Sequence, residues 1–119
     1  MINQLTKEAL ELLKNLIATQ SFSGEENETA LLIRQWFSNH DIRFESDKHN
    51  VWAKNKYFDA AKKTILLNSH HDTVKPNKGY TKNPYNPEVS DGRLYGLGSN
   101  DAGGSLVSLL ATFTYFYER

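Results

Sequence analysis

Thr64-Ile65-Leu66-Leu67-Asn68-Ser69-His70-His71-Asp72-Thr73-Val74-Lys75-Pro76, written TILLNSHHDTVKP, decides how the chain is read. Its start is a short apolar run without alternation. Such a run predicts a strand buried on both faces, as in a mixed or parallel sheet covered by helices. Two histidines and an acid follow where that strand should end. Ligands in open α/β sheets bind beyond the carboxyl ends of the strands. Position alone therefore makes His70, His71 and Asp72 candidates for chemistry.

If the extended conformation continues through them, His70 and Asp72 point to one side and His71 to the other. His70 and Asp72 are then about 7 Å apart along the strand. A neutral imidazole is a good zinc ligand at about 2.0–2.1 Å. Its second ring nitrogen needs an acceptor to fix tautomer and orientation, and a neighbouring carboxylate often supplies it. His-x-Asp at a strand end is thus a recipe for one ligand and its orienting acid. The same pattern also describes a strand-end histidine that is merely hydrogen-bonded.

Upstream, Leu5, Ala9, Leu12, Leu13, Leu16 and Ile17 recur at helical spacing and predict a helix over residues 5–19. A second helix is expected over about 24–39. There Ser23 and Glu26 have the form of a capping box, and Ala30, Ile33 and Phe37 form a stripe with Leu32 and Trp36 beside it. Both helices read as covers for a core. Ile42 to Ser46 alternates as a half-buried strand, with Asn50 to Ala53 as its partner. His40 and His49 read as surface residues.

Downstream, Pro76 to Pro87 is a polar loop holding all three prolines, and its Tyr80 and Tyr85 read as loop packing. Asp91-Gly92 signals a hairpin between Val89 and Leu94-Tyr95. A third helix over residues 103–119 is marked by Leu106, Leu109, Leu110, Phe113 and Phe116. Helix, helix, strands and helix around one buried strand is an α/β layer pattern. An open sheet would normally add further strands after such a helix, so the chain reads either as a helix packed on its sheet or, as the chemistry of its motifs favours, as the first piece of a larger α/β domain.

Between hairpin and helix lies Tyr95-Gly96-Leu97-Gly98-Ser99-Asn100-Asp101-Ala102-Gly103-Gly104. Gly-x-Gly invites a dinucleotide reading, but Asp101 occupies the third glycine position and would repel a pyrophosphate. Two readings remain. One is a glycine-rich turn with Asp101 near a helix N-terminus, where a carboxylate is favoured. The other is a carboxylate held in a fixed inward pose by close backbone packing.

Composition narrows the classes. The 14 basic and 14 acidic residues balance, which argues against a nucleic-acid binder. With no cysteine, disulfides, thiolate zinc sites and thiol catalysis are excluded. No secretory signal or membrane-length apolar run is present, so the expectation is a cytoplasmic protein.

Taken together, His70-His71-Asp72-Thr73-Val74 with Pro76, and Tyr95-Gly96-Leu97-Gly98-Ser99-Asn100-Asp101-Ala102-Gly103-Gly104, resemble the two N-terminal signatures of the co-catalytic zinc aminoacylase and carboxypeptidase family. That family includes acetylornithine deacetylase, succinyl-diaminopimelate desuccinylase and glutamate carboxypeptidase. Ile17 to Glu26 also resembles the family's opening segment. Leu97 replaces the usual arginine, and Ala102-Gly103 the usual Met-Lys, while the acid and glycine frame are kept. The wording looks closest to acetylornithine-deacetylase-like proteins.

The resemblance implies that His70 ligates one zinc, that Asp101 bridges two zincs, and that Asp72 orients and polarises the His70 ring. It implies a cis peptide after Asp101. It implies two zinc ions per complete site, with cobalt or manganese as alternatives. The fold implied is a three-layer α/β/α sandwich of the zinc exopeptidase type, with residues 1–119 as the N-terminal segment of its catalytic domain. The reaction implied is hydrolysis of the amide bond of an N-acyl amino acid or short peptide by an often homodimeric enzyme of amino-acid, especially arginine, biosynthesis. The general-base glutamate, the remaining ligands and the lid and dimerisation domain fall outside this chain, so the 119 residues alone are expected to be inactive. A dipeptidase or carboxypeptidase of the same family, or a non-catalytic oligomerising module, is the competing reading.

Overall fold

The structure, a computed structural model, describes all of residues 1–119. The elements in chain order are α1 (Ile2–Ala18), α2 (Asn27–Asn39), β1 (Glu45–Asp47), β2 (Asn50–Trp52), β3 (Glu88–Ser90), β4 (Arg93–Tyr95) and α3 (Gly104–Phe116). A single wide turn, Ser99–Gly103, runs directly into α3.

α1 buries the six residues its periodicity singled out, Leu5, Ala9, Leu12, Leu13, Leu16 and Ile17. Their spacing keeps one stripe pointing inward over four turns, where it meets α2 and α3. α2 contributes Ile33, Trp36 and Phe37, and Ile42 closes the core just beyond it. Phe37 stacks on Phe44 at 5.8 Å between ring centroids and meets Phe113 of α3 edge-on at 6.1 Å. Trp36 Nε1 donates to Thr114 Oγ1 at 2.9 Å, locking α2 to α3.

Two details of the helices differ from expectation. Ser23 does not cap α2: the cap residue is Glu26, with no side-chain cap bond. Ser23 reaches Asp72 instead, and Glu26 Oε1 accepts from the Gly24 amide at 2.6 Å. In α3 the buried residues are Leu106, Val107 and Leu110, whereas Phe116 is 56% exposed. α3 is apolar on nearly every side, so spacing cannot fix which face turns inward.

The strands form two separate antiparallel hairpins, β1 with β2 and β3 with β4. The first pairs Glu45 with Trp52 and Asp47 with Asn50, and begins later than the alternation from Ile42 implied. The second pairs Glu88 with Tyr95 and Ser90 with Arg93. Its turn residues Asp91 and Gly92 both have positive φ, 52° and 73°. Those angles match the strand twist in a two-residue turn, and the Asp-Gly signal pointed to them.

The central strand expected from the quoted stretch is not formed. Residues 64–69 are irregular and lie in no ladder. No backbone–backbone hydrogen bond involves residues 63–72, and Ile65 and Leu66 are 85% and 82% exposed. A strand is stable only when a neighbour takes up its amides and carbonyls, and no element of this chain lies alongside. The expected mixed sheet is therefore reduced to one parallel bridge, Phe22 with Thr73. No helix is long and apolar enough to cross a membrane.

Candidate metal-binding site

The bridge at Thr73 builds one half of the site. Thr73 donates its amide to Ser21 O at 2.7 Å, which brings the His-His-Asp stretch against the loop between α1 and α2. Ser23 Oγ then donates to Asp72 Oδ2. The other carboxylate oxygen, Oδ1, accepts from His70 Nδ1 at 3.0 Å, and the Asp72 carbonyl lies 3.2 Å from the same nitrogen. The alternation argument thus holds locally: His70 and Asp72 share a side although no sheet supports them.

The glycine-rich turn builds the other half. Gly98 has φ 78°, and a side chain there would sit 2.7 Å from Thr73 Cγ2. Gly103 donates to Gly98 O at 2.7 Å, closing the turn around Asp101. Missing side chains at these glycines let the turn press against both α1 and the His-His-Asp stretch. The Asp101–Ala102 peptide is cis. Asp101 Oδ1 arrives 2.9 Å from His70 Nε2, while the rest of its side chain stays 89% exposed.

His70 therefore lies between two carboxylates, one on each ring nitrogen. Partial burial works against its charged form, but bonds to Asp72 and Asp101 outweigh it and raise the pKa above the ordinary 6.5. The Ser23 hydroxyl, with the His70 ring behind it, lowers Asp72 below the ordinary 3.8 against the opposing effect of burial.

The pair His70 Nε2 and Asp101 Oδ1 has the chemistry and spacing of two ligands on one ion. Two donors each about 2.0–2.1 Å from a zinc, at angles of roughly 90–110°, lie about 2.9–3.4 Å apart. The observed 2.9 Å is at the close end of that range. Asp72 faces the opposite nitrogen and orients the ring without reaching the ion position. No group of three or more potential ligands gathers anywhere in the chain, so the residues present fit two corners of a metal site.

The other histidines lie elsewhere. His71 turns away and bonds Thr29 and the His49 carbonyl. His40 and His49 are half-buried rather than on the surface: His40 Nε2 is 2.9 Å from Glu8, and His49 contacts both Glu26 and Asn27. Tyr80 is exposed, and Tyr85 is half-buried. Glu118 pairs with Lys56 at 3.1 Å, away from the site. Sequence reasoning missed Ser23 as the partner of Asp72. Its only signal was its place in the segment Ile17 to Glu26, because a contact across 49 residues leaves no local pattern.

Comparison with known proteins bears on the family. Residues 66–119, which carry His70, Asp72 and Asp101, match the peptidase family M20/M25/M40. This part of the chain is similar to that family. The chain is 31% identical over 117 residues to the succinyl-diaminopimelate desuccinylase of Wigglesworthia glossinidia brevipalpis, covering 92% of this chain and 30% of that protein. It is 33% identical over 117 residues to the acetylornithine deacetylase of Erwinia tasmaniensis, covering 87% and 30%. A second desuccinylase, from Methylibium petroleiphilum, is 29% identical over 125 residues, covering 97% and 32%. The chain therefore spans about a third of the length of these relatives.

Proposed function

We propose that residues 1–119 are the N-terminal segment of the catalytic domain of a metal-dependent amide hydrolase. In this reading the enzyme removes the acyl group of an N-acyl amino acid, as an acetylornithine deacetylase does. The observation that carries the reading is the His70 ring, held at one nitrogen by Asp72 and facing Asp101 across 2.9 Å with the other. The relatives named as deacetylase and desuccinylase support the substrate class.

His70 Nε2 and Asp101 would hold the metal, zinc for preference, with Asp101 free to bridge to a second ion through its exposed carboxylate. Bound there, the metal lowers the pKa of a water and polarises the scissile carbonyl. The chain's own residues prepare the site for it. Asp72 accepts the Nδ1 proton, so the neutral ring offers its lone pair from Nε2. Ser23 satisfies the far oxygen of Asp72 and keeps that carboxylate ionised. The glycine turn fixes the distance of Asp101 from the ring.

Two ligands do not hold zinc firmly. The remaining ligands, the general base and a lid and dimerisation domain belong, in this reading, to the two thirds of the relatives that the chain does not span. The strand-like stretch 64–69 and α1 to α3 would then join a three-layer α/β/α sandwich in a cytoplasmic homodimer. A dipeptidase or carboxypeptidase of the same family is the competing substrate assignment. A non-catalytic oligomerising module is favoured only by the exposed Ile65 and Leu66.

The test is a chimera in which residues 1–119 replace the matching segment of the Erwinia tasmaniensis acetylornithine deacetylase. We expect it to hydrolyse N-acetylornithine, to lose activity to a chelator, to regain it with zinc, and to lose it in His70→Ala. The 119-residue chain alone should turn over neither N-acetylornithine nor N-succinyl-diaminopimelate. Hydrolysis that survives both exhaustive chelation and His70→Ala would sink the reading.

A further inference from the structure

His71 is not absorbed by the function above, yet it is among the most tightly bonded side chains near the site. Its Nδ1 lies 2.7 Å from Thr29 Oγ1 on α2, and its Nε2 lies 2.8 Å from the backbone carbonyl of His49 in the turn between β1 and β2. Thr29 is completely buried. A carbonyl can only accept, so Nε2 carries a proton and donates to His49 O. Both ring nitrogens are therefore engaged, and the ring cannot rotate without losing one bond.

What His71 holds matters because so little else does. Residues 63–72 make no backbone–backbone hydrogen bond, so no ladder sets the position of the His70 backbone. The first such bond after this gap is from the Thr73 amide to Ser21 O. On the site side, Ser23 grips Asp72. On the opposite side, the His71 ring makes the only hydrogen bonds that tie the stretch to the rest of the fold. Fixing a peptide on both sides, one residue from His70, determines where the His70 ring stands relative to Asp101.

We infer that His71 is a positioning residue: its two hydrogen bonds, to Thr29 and to the His49 carbonyl, hold His70 in register with Asp101. The inference rests on the reading of His70 as a metal ligand for its consequence, but not for its geometry. Partners that orient a ligand change metal affinity by about 10–100-fold when removed, and the lower end is the expectation here because Ser23 and Thr73 still hold the stretch.

The experiment uses the whole 119-residue chain, with imidazole nitrogen shifts read by NMR at one fixed pH and ZnCl2 titrated calorimetrically. In His71→Ala the His70 nitrogens should move from the values of a ring that donates to a carboxylate at each nitrogen toward those of a free, exchange-averaged ring, and zinc binding should weaken about tenfold. His71→Gln, whose amide reaches where Nε2 did, should restore much of the His70 signature. Thr29→Val, which keeps the shape and removes the hydroxyl, should fall between. If His71→Ala does not fold, Thr29→Val decides. An unchanged His70 signature in His71→Ala, or in Thr29→Val where the alanine variant does not fold, would overturn the inference. Zinc separates the two claims: a shifted His70 signature with zinc binding insensitive to His70→Ala supports the positioning and removes the metal reading. Zinc binding lost in His70→Ala but normal in His71→Ala, with an unchanged His70 signature, keeps the metal reading and removes the positioning.

Discussion

Replacing Gly103 by alanine tests how the Asp101 turn is packed. A methyl group at Gly103 would lie 2.6 Å from Gly98 O and 2.6 Å from Leu13 Cδ1. Non-bonded contacts are most favourable at about 3.5–4.0 Å, so both neighbours must retreat. Neither does so freely. Gly98 O accepts the bond that closes the turn, and Leu13 is buried in the core. Overpacking of this kind costs about 1–3 kcal/mol. Against it, Gly103 has helical angles, φ −55° and ψ −47°, where alanine is favoured by up to about 1 kcal/mol. The steric cost wins, leaving a net loss of about 1–2 kcal/mol. With a urea slope of about 2 kcal/mol/M, the middle of the range for small proteins, the midpoint should fall by about 0.5–1 M. Gly79→Ala is the control: its nearest neighbour would be Asn77 Oδ1 at 3.4 Å, an ordinary contact, and the change should be neutral or stabilise by about 0.4–1 kcal/mol. Urea unfolding followed by circular dichroism reads both. A Gly103→Ala midpoint equal to or above wild type would show that the turn is not packed against α1 as described.

Trp36→Phe removes the bond from Nε1 to Thr114 Oγ1 between α2 and α3. The Thr114 hydroxyl still donates to Leu110 O at 2.8 Å, so it is not orphaned and the loss should be about 1 kcal/mol. A double-mutant cycle with Thr114→Val should show coupling of similar size, and additive effects would deny the contact. The His70–Asp72 pair should give stability a pH dependence of definite sign. His70 is raised, so its contribution is complete below 6.5 and is lost as pH rises through its higher folded value. Asp72 is lowered, so its contribution is complete above 3.8 and is lost as pH falls through its lower folded value. Relative to Asp72→Asn, wild type should gain most between those two ordinary values. The gain should be small, because side-chain exposures of 50% and 36% leave the pair screened by water. Unfolding curves of both proteins across pH would contradict this if the difference grew above neutrality.

The legible parts of the fold were those fixed by local pattern. The buried face of α1 was read to the residue, since a helix with one apolar stripe has one way to face a core, although the helix runs from Ile2 to Ala18 rather than over 5–19. The Asp91-Gly92 hairpin was equally plain, because two adjacent positive φ values select those residue types. The stretch 64–69 misled because an apolar run gives the preference for a buried strand but not the neighbours that realise it. The phase of α3 was lost because it is apolar nearly all round, and the capping box failed because Ser23 had a stronger, charged partner in Asp72. In the site, His70 and Asp72 were legible from strand alternation, while their roles and that of Asp101 came from the family resemblance. The anchoring of Asp72 by Ser23, and of His71 by Thr29, joins residues 49 and 42 apart, so no short motif announces either.

The most direct measurement is paramagnetic: titrate cobalt(II) into the isotopically labelled 119-residue chain and record which side-chain resonances broaden first. We expect the His70 ring and the Asp101 carboxylate to broaden together at the lowest metal, with the His70→Ala chain showing neither. Broadening that begins at His49 and Glu26, or at His40 and Glu8, while His70 stays sharp would contradict the assignment of His70 and Asp101 as the metal-binding pair.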